Sequence, residues 1–213
     1  MRLFEGRKRK MIRRLVPIVL IAVVLLPLPA YSEKPGPGDT IKTFNAALLE
    51  SMKGGEELGY QGRFKILEPV VKDSFALEFM GSQTVGKYWK TFKKDEQDAF
   101  MKTYTEYTIA NYAGQFDSYS GQTFEVAPES EPVKGKVIVV SKLVRPNKGE
   151  VEFHYLLRQV EGRWRIVDIQ ISGVSQLALT RAQFTQVIKD KGLDGLISML
   201  KEKIKGFSKK NGG

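Results

Sequence analysis

The apolar periodicity of this chain changes once, after Ser120-Gly121, and that change limits the architectures open to it. Up to that point large apolar residues recur every three or four positions, the spacing of helices buried along one stripe. Beyond it they recur every second position, the spacing of strands with one covered side. Helical spacing returns only near the end. Helices, then a run of strands, then helices again is the order of an α+β domain in which helices cover one face of an antiparallel sheet.

Four strands are expected, at Gln122–Ala127, Gly135–Arg145, Glu150–Glu161 and Arg163–Ser172. The tight turns "RPNKGE" and "EGR" join the last three into an antiparallel meander. In the third strand Val151, Phe153, Tyr155 and Leu157 share a face, while Glu150, Glu152, His154 and Arg158 hold the other, so one side is wet. The fourth strand changes parity. Trp164 and Ile166 alternate with arginines, and then Val167, Ile169 and Ile171 become the apolar set. One extra residue in a bulge would re-aim the strand in this way, as would cover on both sides.

Among the helices, Asp39 or Thr40 is expected to cap one with Ile41, Phe44, Leu48, Leu49 and Met52 along one stripe, stopped by Gly54-Gly55. A shorter one is expected over about Gly62–Asp73. Two more follow, broken near Gly81. The longest runs from about Lys94 to Tyr119, with Phe100, Tyr104, Tyr107 and Asn111 on one face and Met101, Thr108, Tyr112 and Phe116 alongside. Two closing helices, about Ser175–Lys191 and Leu193–Ile204, are separated by Gly192.

Residues 1–30 read as a secretory signal: a basic stretch ending at Arg14, the apolar run Leu15–Leu28, and then Pro29-Ala30. Residues 31–38 read as a linker, 39–205 as one domain and 206–213 as a flexible polar tail. The formal charge of +10 is concentrated in the signal; the rest holds 27 basic and 23 acidic residues, an ordinary soluble surface. A nucleic-acid partner is therefore not expected. No cysteine is present, which excludes disulfides, thiol nucleophiles and thiolate zinc sites. With His154 the single histidine, neither a histidine metal cluster nor a Ser-His-Asp triad is expected, so no catalytic and no metal-binding residues are assigned.

The segments "IKTFNAALLESM", "FKILEPVVKDSFALEFM" and "YWKTFKKDEQDAFMKTYTEYTIANYAGQFDSY" occur in that order. They lead to the most specific part, W-x-I-x-D-I-x-I-x-G-V-S followed by T-R-x-Q-F, Trp164 to Phe184, with G-L-D-G-L-I after it. In these the chain, from about Asp39 to Ile204, resembles the MlaC family of periplasmic phospholipid-binding proteins, also called toluene-tolerance proteins. It departs from that family at Lys93-Lys94, where a Ser or Thr cap followed by Pro is usual.

The resemblance implies an NTF2-like fold: a twisted four-stranded antiparallel sheet packed against several helices, with a lipid cavity between them. It implies a periplasmic carrier without catalytic activity or cofactor, whose cargo is phospholipid moved between membranes to maintain outer-membrane lipid asymmetry. The partners implied are an inner-membrane ABC transporter complex with a hexameric substrate-binding ring and an outer-membrane lipoprotein–porin complex. Each buried methylene is worth roughly 0.8 kcal/mol, so two acyl chains of about thirty carbons represent on the order of 25 kcal/mol of hydrocarbon to be kept from water. A pocket of about 1,000 Å³ or more is expected for that.

Candidate wall residues from the helical half are Phe75, Phe79, Trp89, Tyr104 and Tyr107. The strands offer Val137, Val139, Phe153, Tyr155 and Ile169, with Val174 just beyond the Gly173 break. The following helix would turn Phe184 inward and place Arg181 near the mouth, where its guanidinium could meet a phosphate. Two other functions compete. A proton-transfer enzyme would use a carboxylate in an apolar site, with Asp168 or Asp117 as candidates. A periplasmic chaperone would expose an apolar groove.

Overall fold

Helices open and close the described part of the chain and a meander lies between them. The computed structural model describes residues 35–128, 130, 134–146 and 148–210. The signal segment expected over 1–30 lies outside these residues. The helices are α1 (Pro37–Ser74), α2 (Leu77–Val85), α3 (Lys94–Gln115) and α4 (Gln176–Lys210), with a 3₁₀ turn over Gly86–Thr91 between α2 and α3. The strands are β1 (Thr123–Val126), β2 (Lys136–Arg145), β3 (Gly149–Val160), β4 (Arg163–Ile171) and β5 (Val174–Ser175), hydrogen-bonded in that order and antiparallel throughout. The fold class is the expected α+β, with five strands where four were expected. The extra strand is two residues long, too short for periodicity to register.

Helix α1 begins inside the expected linker. Pro37 occupies its first turn, where a missing N–H costs nothing, and the Asp39 carboxylate accepts from the Gly36 N–H at 3.1 Å. Ile41, Phe44, Leu48 and Met52 are buried, as their spacing requires. The helix kinks at Gly55 and Gly59, close to the expected stop at Gly54-Gly55. Arg63 lies just after the kink and is buried. Its Nε donates to the Ala113 carbonyl at 3.0 Å and its Nη1 to the Gly55 carbonyl at 2.7 Å, so one side chain ties the kink to α3.

The expected break at Gly81 is not there. Gly81 is buried within α2, and a Cβ on it would stand 2.6 Å from the Met101 sulfur. Its role is close helix packing, and the helix ends five residues later at Gly86, where φ is 56°. At the start of α3, Lys93 supplies no side-chain cap, but the Glu96 carboxylate reaches back to the Lys93 N–H at 2.7 Å.

The parity change in β4 is a bulge. Leu156 pairs with Asp168 and Leu157 with Ile166, leaving Val167 without an opposite residue. Ile166 and Val167 are both buried, so the strand is covered at this point as well. Two-residue turns with positive φ at both positions close the neighbouring hairpins, Glu161-Gly162 before β4 and Ser172-Gly173 after it.

The polar tail is also different from expectation. Helix α4 kinks at Gly192, where φ is 69°, but continues helically through 206–210. The Phe207 ring lies against Gly114 of α3 and 6.5 Å from the Tyr107 ring, an apolar anchor that a reading of "GFSKKNGG" as frayed overlooks. In the core, Phe44 meets Phe75 edge-on at 5.0 Å, Tyr112 at 5.1 Å and Tyr155 at 6.3 Å, joining α1, α3 and β3. Beside it the buried Asn45 amide donates to Ser141 Oγ at 2.9 Å, and Ser141 donates in turn to the Glu125 carbonyl of β1.

Candidate functional site

Sheet alternation sends Val137, Val139, Ser141, Leu143 and Arg145 of β2 to one side, level with Leu157, Tyr155, Phe153 and Val151 of β3. After the bulge, Ile169 and Ile171 of β4 join them. Helices α1, α3 and α4 cover this face without filling it. Between them lies a cavity of about 600 Å³.

Its two ends differ. The inner end is formed by Phe75, Met80, Tyr104 and Tyr155, all buried. The outer end is formed by Asn111, Gln115, Ser118, Gln122 and Arg145, of which Gln115 and Ser118 are exposed. Leu143, Val151, Phe153, Ile169 and Ile171 make the sheet wall, and Gln176, Leu177 and Thr180 of α4 close the side opposite. Thr108 and Thr180 donate their hydroxyls to carbonyls one helical turn back, Tyr104 and Gln176, at 2.8 Å each. Their hydrogen-bonding demand is thus met within their own helices.

Burial pushes the phenols of Tyr104, Tyr107, Tyr112 and Tyr155 above the usual tyrosine range, so they stay neutral at any physiological pH. Among the described residues of the lining Arg145 is then the one that is ionised, and no carboxylate accompanies it there. Its Nη2 donates to the Lys148 carbonyl at 3.1 Å. Its Nε is shielded from water and has no partner among the described residues.

Of the twelve expected lipid-binding residues, eleven in the wall and Arg181 at the mouth, six meet at this cavity: Phe75, Tyr104, Tyr107, Phe153, Tyr155 and Ile169. The others lie elsewhere. Val137 and Val139 share the inward parity but are consumed in the solid core beneath the helices. Phe79 and Trp89 flank a separate cleft with Arg158 and Arg165, and the Arg158 guanidinium stacks 3.8 Å over the Phe79 ring. Val174 is 46% exposed on the short edge strand β5. Arg181 is exposed, and its guanidinium packs over Gly86, where a Cβ would stand 2.9 Å from Nε; it does not line the cavity. Phe184 does turn inward, is fully buried and approaches Tyr107 at 6.3 Å. Arg181 stands one turn before Phe184 and at the edge of the same helix face, where it meets the Gly86 turn and not the cavity.

Residues not foreseen include Met52, Met80, Leu143 and Arg145. Arg145 carries a signal that could have been used: it continues the inward parity of Val137, Val139 and Leu143 to the end of β2. The cavity volume falls below the expected 1,000 Å³. Neither enzyme candidate lines it. Asp168 is buried, and its Oδ1 accepts from the N–H groups of Ile169 at 2.8 Å and Leu177 at 3.1 Å, tying β4 to the start of α4. Among the described residues, no group of three His, Asp or Glu side chains is placed to hold a metal ion, and no helix is long and apolar enough to cross a membrane.

Comparison with known proteins agrees with this architecture. The MlaC protein family model matches residues 42–202. The intermembrane phospholipid transport system binding protein MlaC of Haemophilus influenzae is 25% identical over 130 residues, 59% of this chain and 61% of its own length. The chain thus aligns with under two thirds of that relative. A toluene tolerance protein of Pseudomonas putida is 26% identical over 192 residues, 86% of this chain and 85% of its own. The structure of a phospholipid-binding protein from Ralstonia solanacearum, solved in complex with a phospholipid, superposes with a TM-score of 0.71 at 22% identity, covering 82% of this chain and 99% of that one.

Proposed function

The chain belongs to the MlaC family, and from that premise we propose that it is a periplasmic phospholipid carrier, not an enzyme. In this reading it holds acyl chains in the cavity between sheet and helices and moves lipid between outer- and inner-membrane complexes, maintaining outer-membrane asymmetry. The observation that carries the reading is the contrast between the cavity's ends. A wall of aliphatic and neutral aromatic side chains leads outward to amides and one arginine, the polarity profile of a lipid. A relative that is the binding protein of a phospholipid transport system, and a structural neighbour solved with a phospholipid, support the same cargo.

A volume of about 600 Å³ is modest for two acyl chains. Loading then requires the walls to part. Met52 and Met80, unbranched and adaptable, are the lining residues best suited to give way. The partners in this proposal are a lipoprotein–porin complex at the outer membrane and an ABC transporter complex with a hexameric substrate-binding ring at the inner one. The carrier has no energy source of its own, so direction comes from the partners' differential affinity for its loaded and empty forms. The export signal read in residues 1–30 supplies the periplasmic address.

The test is transfer of a fluorescent phospholipid between two vesicle populations. Wild-type protein is expected to accelerate it. The variants Thr108→Trp and Val151→Trp, which fill the cavity from opposite walls, are expected to slow it towards the protein-free rate while staying folded by circular dichroism. Transfer at the wild-type rate by both folded variants would remove the cavity from the account.

A further inference from the structure

We infer that Arg145 is the anchor for the phosphodiester of the bound lipid, assisted by the side-chain amides of Asn111 and Gln122. This rests on the carrier reading above and deepens it, because it names the group that tells a phospholipid from other two-chain lipids.

The chemistry of the lining leads to it. Of the described residues that form the cavity, Arg145 alone carries a charge, and it stands at the outer end. An arginine on the inward face of a strand would ordinarily find a carboxylate there. Here the lining offers none, and no ion pair to Arg145 is formed among the described residues. The neighbouring acids Glu150 and Glu152 face the opposite side of the hairpin, where they pair with Lys142 at 3.3 and 3.8 Å. The guanidinium is held at one corner by the Lys148 carbonyl, which leaves its plane oriented but its charge uncompensated. Its Nε–H is removed from water without an acceptor among the described residues, an arrangement that costs free energy until an anion arrives.

A phosphodiester meets that need. It is anionic, and it accepts two parallel N–H bonds from a guanidinium in a fork that an ammonium cannot copy. The amides around Arg145 are arranged to help. Gln115 Nε2 donates to Asn111 Oδ1 at 2.7 Å, which leaves the Asn111 N–H₂ as a donor at the same end. Gln122 Oε1 accepts from the Ser120 N–H and its Nε2 donates to the Ser118 carbonyl at 3.4 Å, which leaves the second N–H of that amide for a ligand. Donors and one cation therefore surround a space into which no carboxylate of the described residues enters as a competing acceptor.

The test measures retention of lipid by the full chain, using dioleoylphosphatidylglycerol and dioleoylglycerol, which share acyl chains and differ in the phosphate. Wild-type protein is expected to hold the phospholipid roughly tenfold or more better, the scale of one charge-assisted hydrogen-bond pair. Arg145→Gln, close in length but uncharged, is expected to bring that preference towards unity, and Arg145→Lys to restore part of it. An undiminished preference in Arg145→Gln, with both lipids still held, overturns the anchor alone. Failure of the wild type to hold either lipid contradicts the carrier reading beneath it. Displacement of the phospholipid by millimolar inorganic phosphate would mark a free-phosphate site and overturn the assignment to lipid.

Discussion

Ser141 is a small residue with two obligations. It accepts from the buried Asn45 amide and donates to Glu125, so α1, β1 and β2 meet through one hydroxyl. Asn45 Oδ1 already has no partner among the described residues. Ser141→Ala would leave the Asn45 N–H₂ unsatisfied too, and a loss of about 1–3 kcal/mol is expected, read from the urea midpoint. Tyrosine supplies the pH dependence. Burial, with a further push from Glu106, raises the Tyr60 phenol to about 12, and burial also raises those of Tyr104, Tyr107, Tyr112 and Tyr155. Below pH ~10 these groups are protonated in folded and unfolded chains alike, so they cost nothing. Above it the unfolded chain releases protons first, and by linkage stability falls as pH rises from about 10 through about 12. Alkaline denaturation with phenolate absorbance rising at the unfolding transition is the expected result. Ionisation of all five phenols near pH 10, ahead of unfolding, would contradict it.

At the scale of elements, the Ser172-Gly173 turn sets where β5 pairs and where α4 starts. Gly173 has φ of 76° with open space where a Cβ would be, so the obstacle to substitution is conformational. Gly173→Val should cost about 1–2 kcal/mol or more. Ser172→Asn should be neutral or stabilising, because Asn-Gly is the favoured pair in such a turn. Thermal melts of the two variants check both signs. The break at Gly173 was legible in sequence, as were the meander of β2, β3 and β4 and the parity change of the β4 bulge, because each depends on residues adjacent in the chain. The apolar stripe of α1 was legible for the same reason. Gly81 was misread because its neighbour, Met101, comes from another helix, and a glycine required for packing looks in sequence like one required for a break. Phe207 was passed over likewise, since its anchor on α3 lies far back in the chain.

For the whole molecule, the presence of a space between sheet and helices followed from the family resemblance, while its lining depended on which inward residues the helices cover. Val137 and Phe153 share one parity, yet one is sealed in the core and the other lines the cavity. Periodicity reports the face and is silent on how far along the strand the cover extends. Arg181 and Arg145 illustrate the same limit for charge: the helical arginine was chosen for its motif, and the strand arginine lines the cavity. The central claim is that membrane-lipid hydrocarbon occupies this space. Native mass spectrometry of the protein released gently from a Gram-negative periplasm tests it most directly. The account predicts the mass of the chain plus intact phospholipid, reduced to the chain alone after solvent extraction. Folded protein that is lipid-free in every such preparation would contradict it.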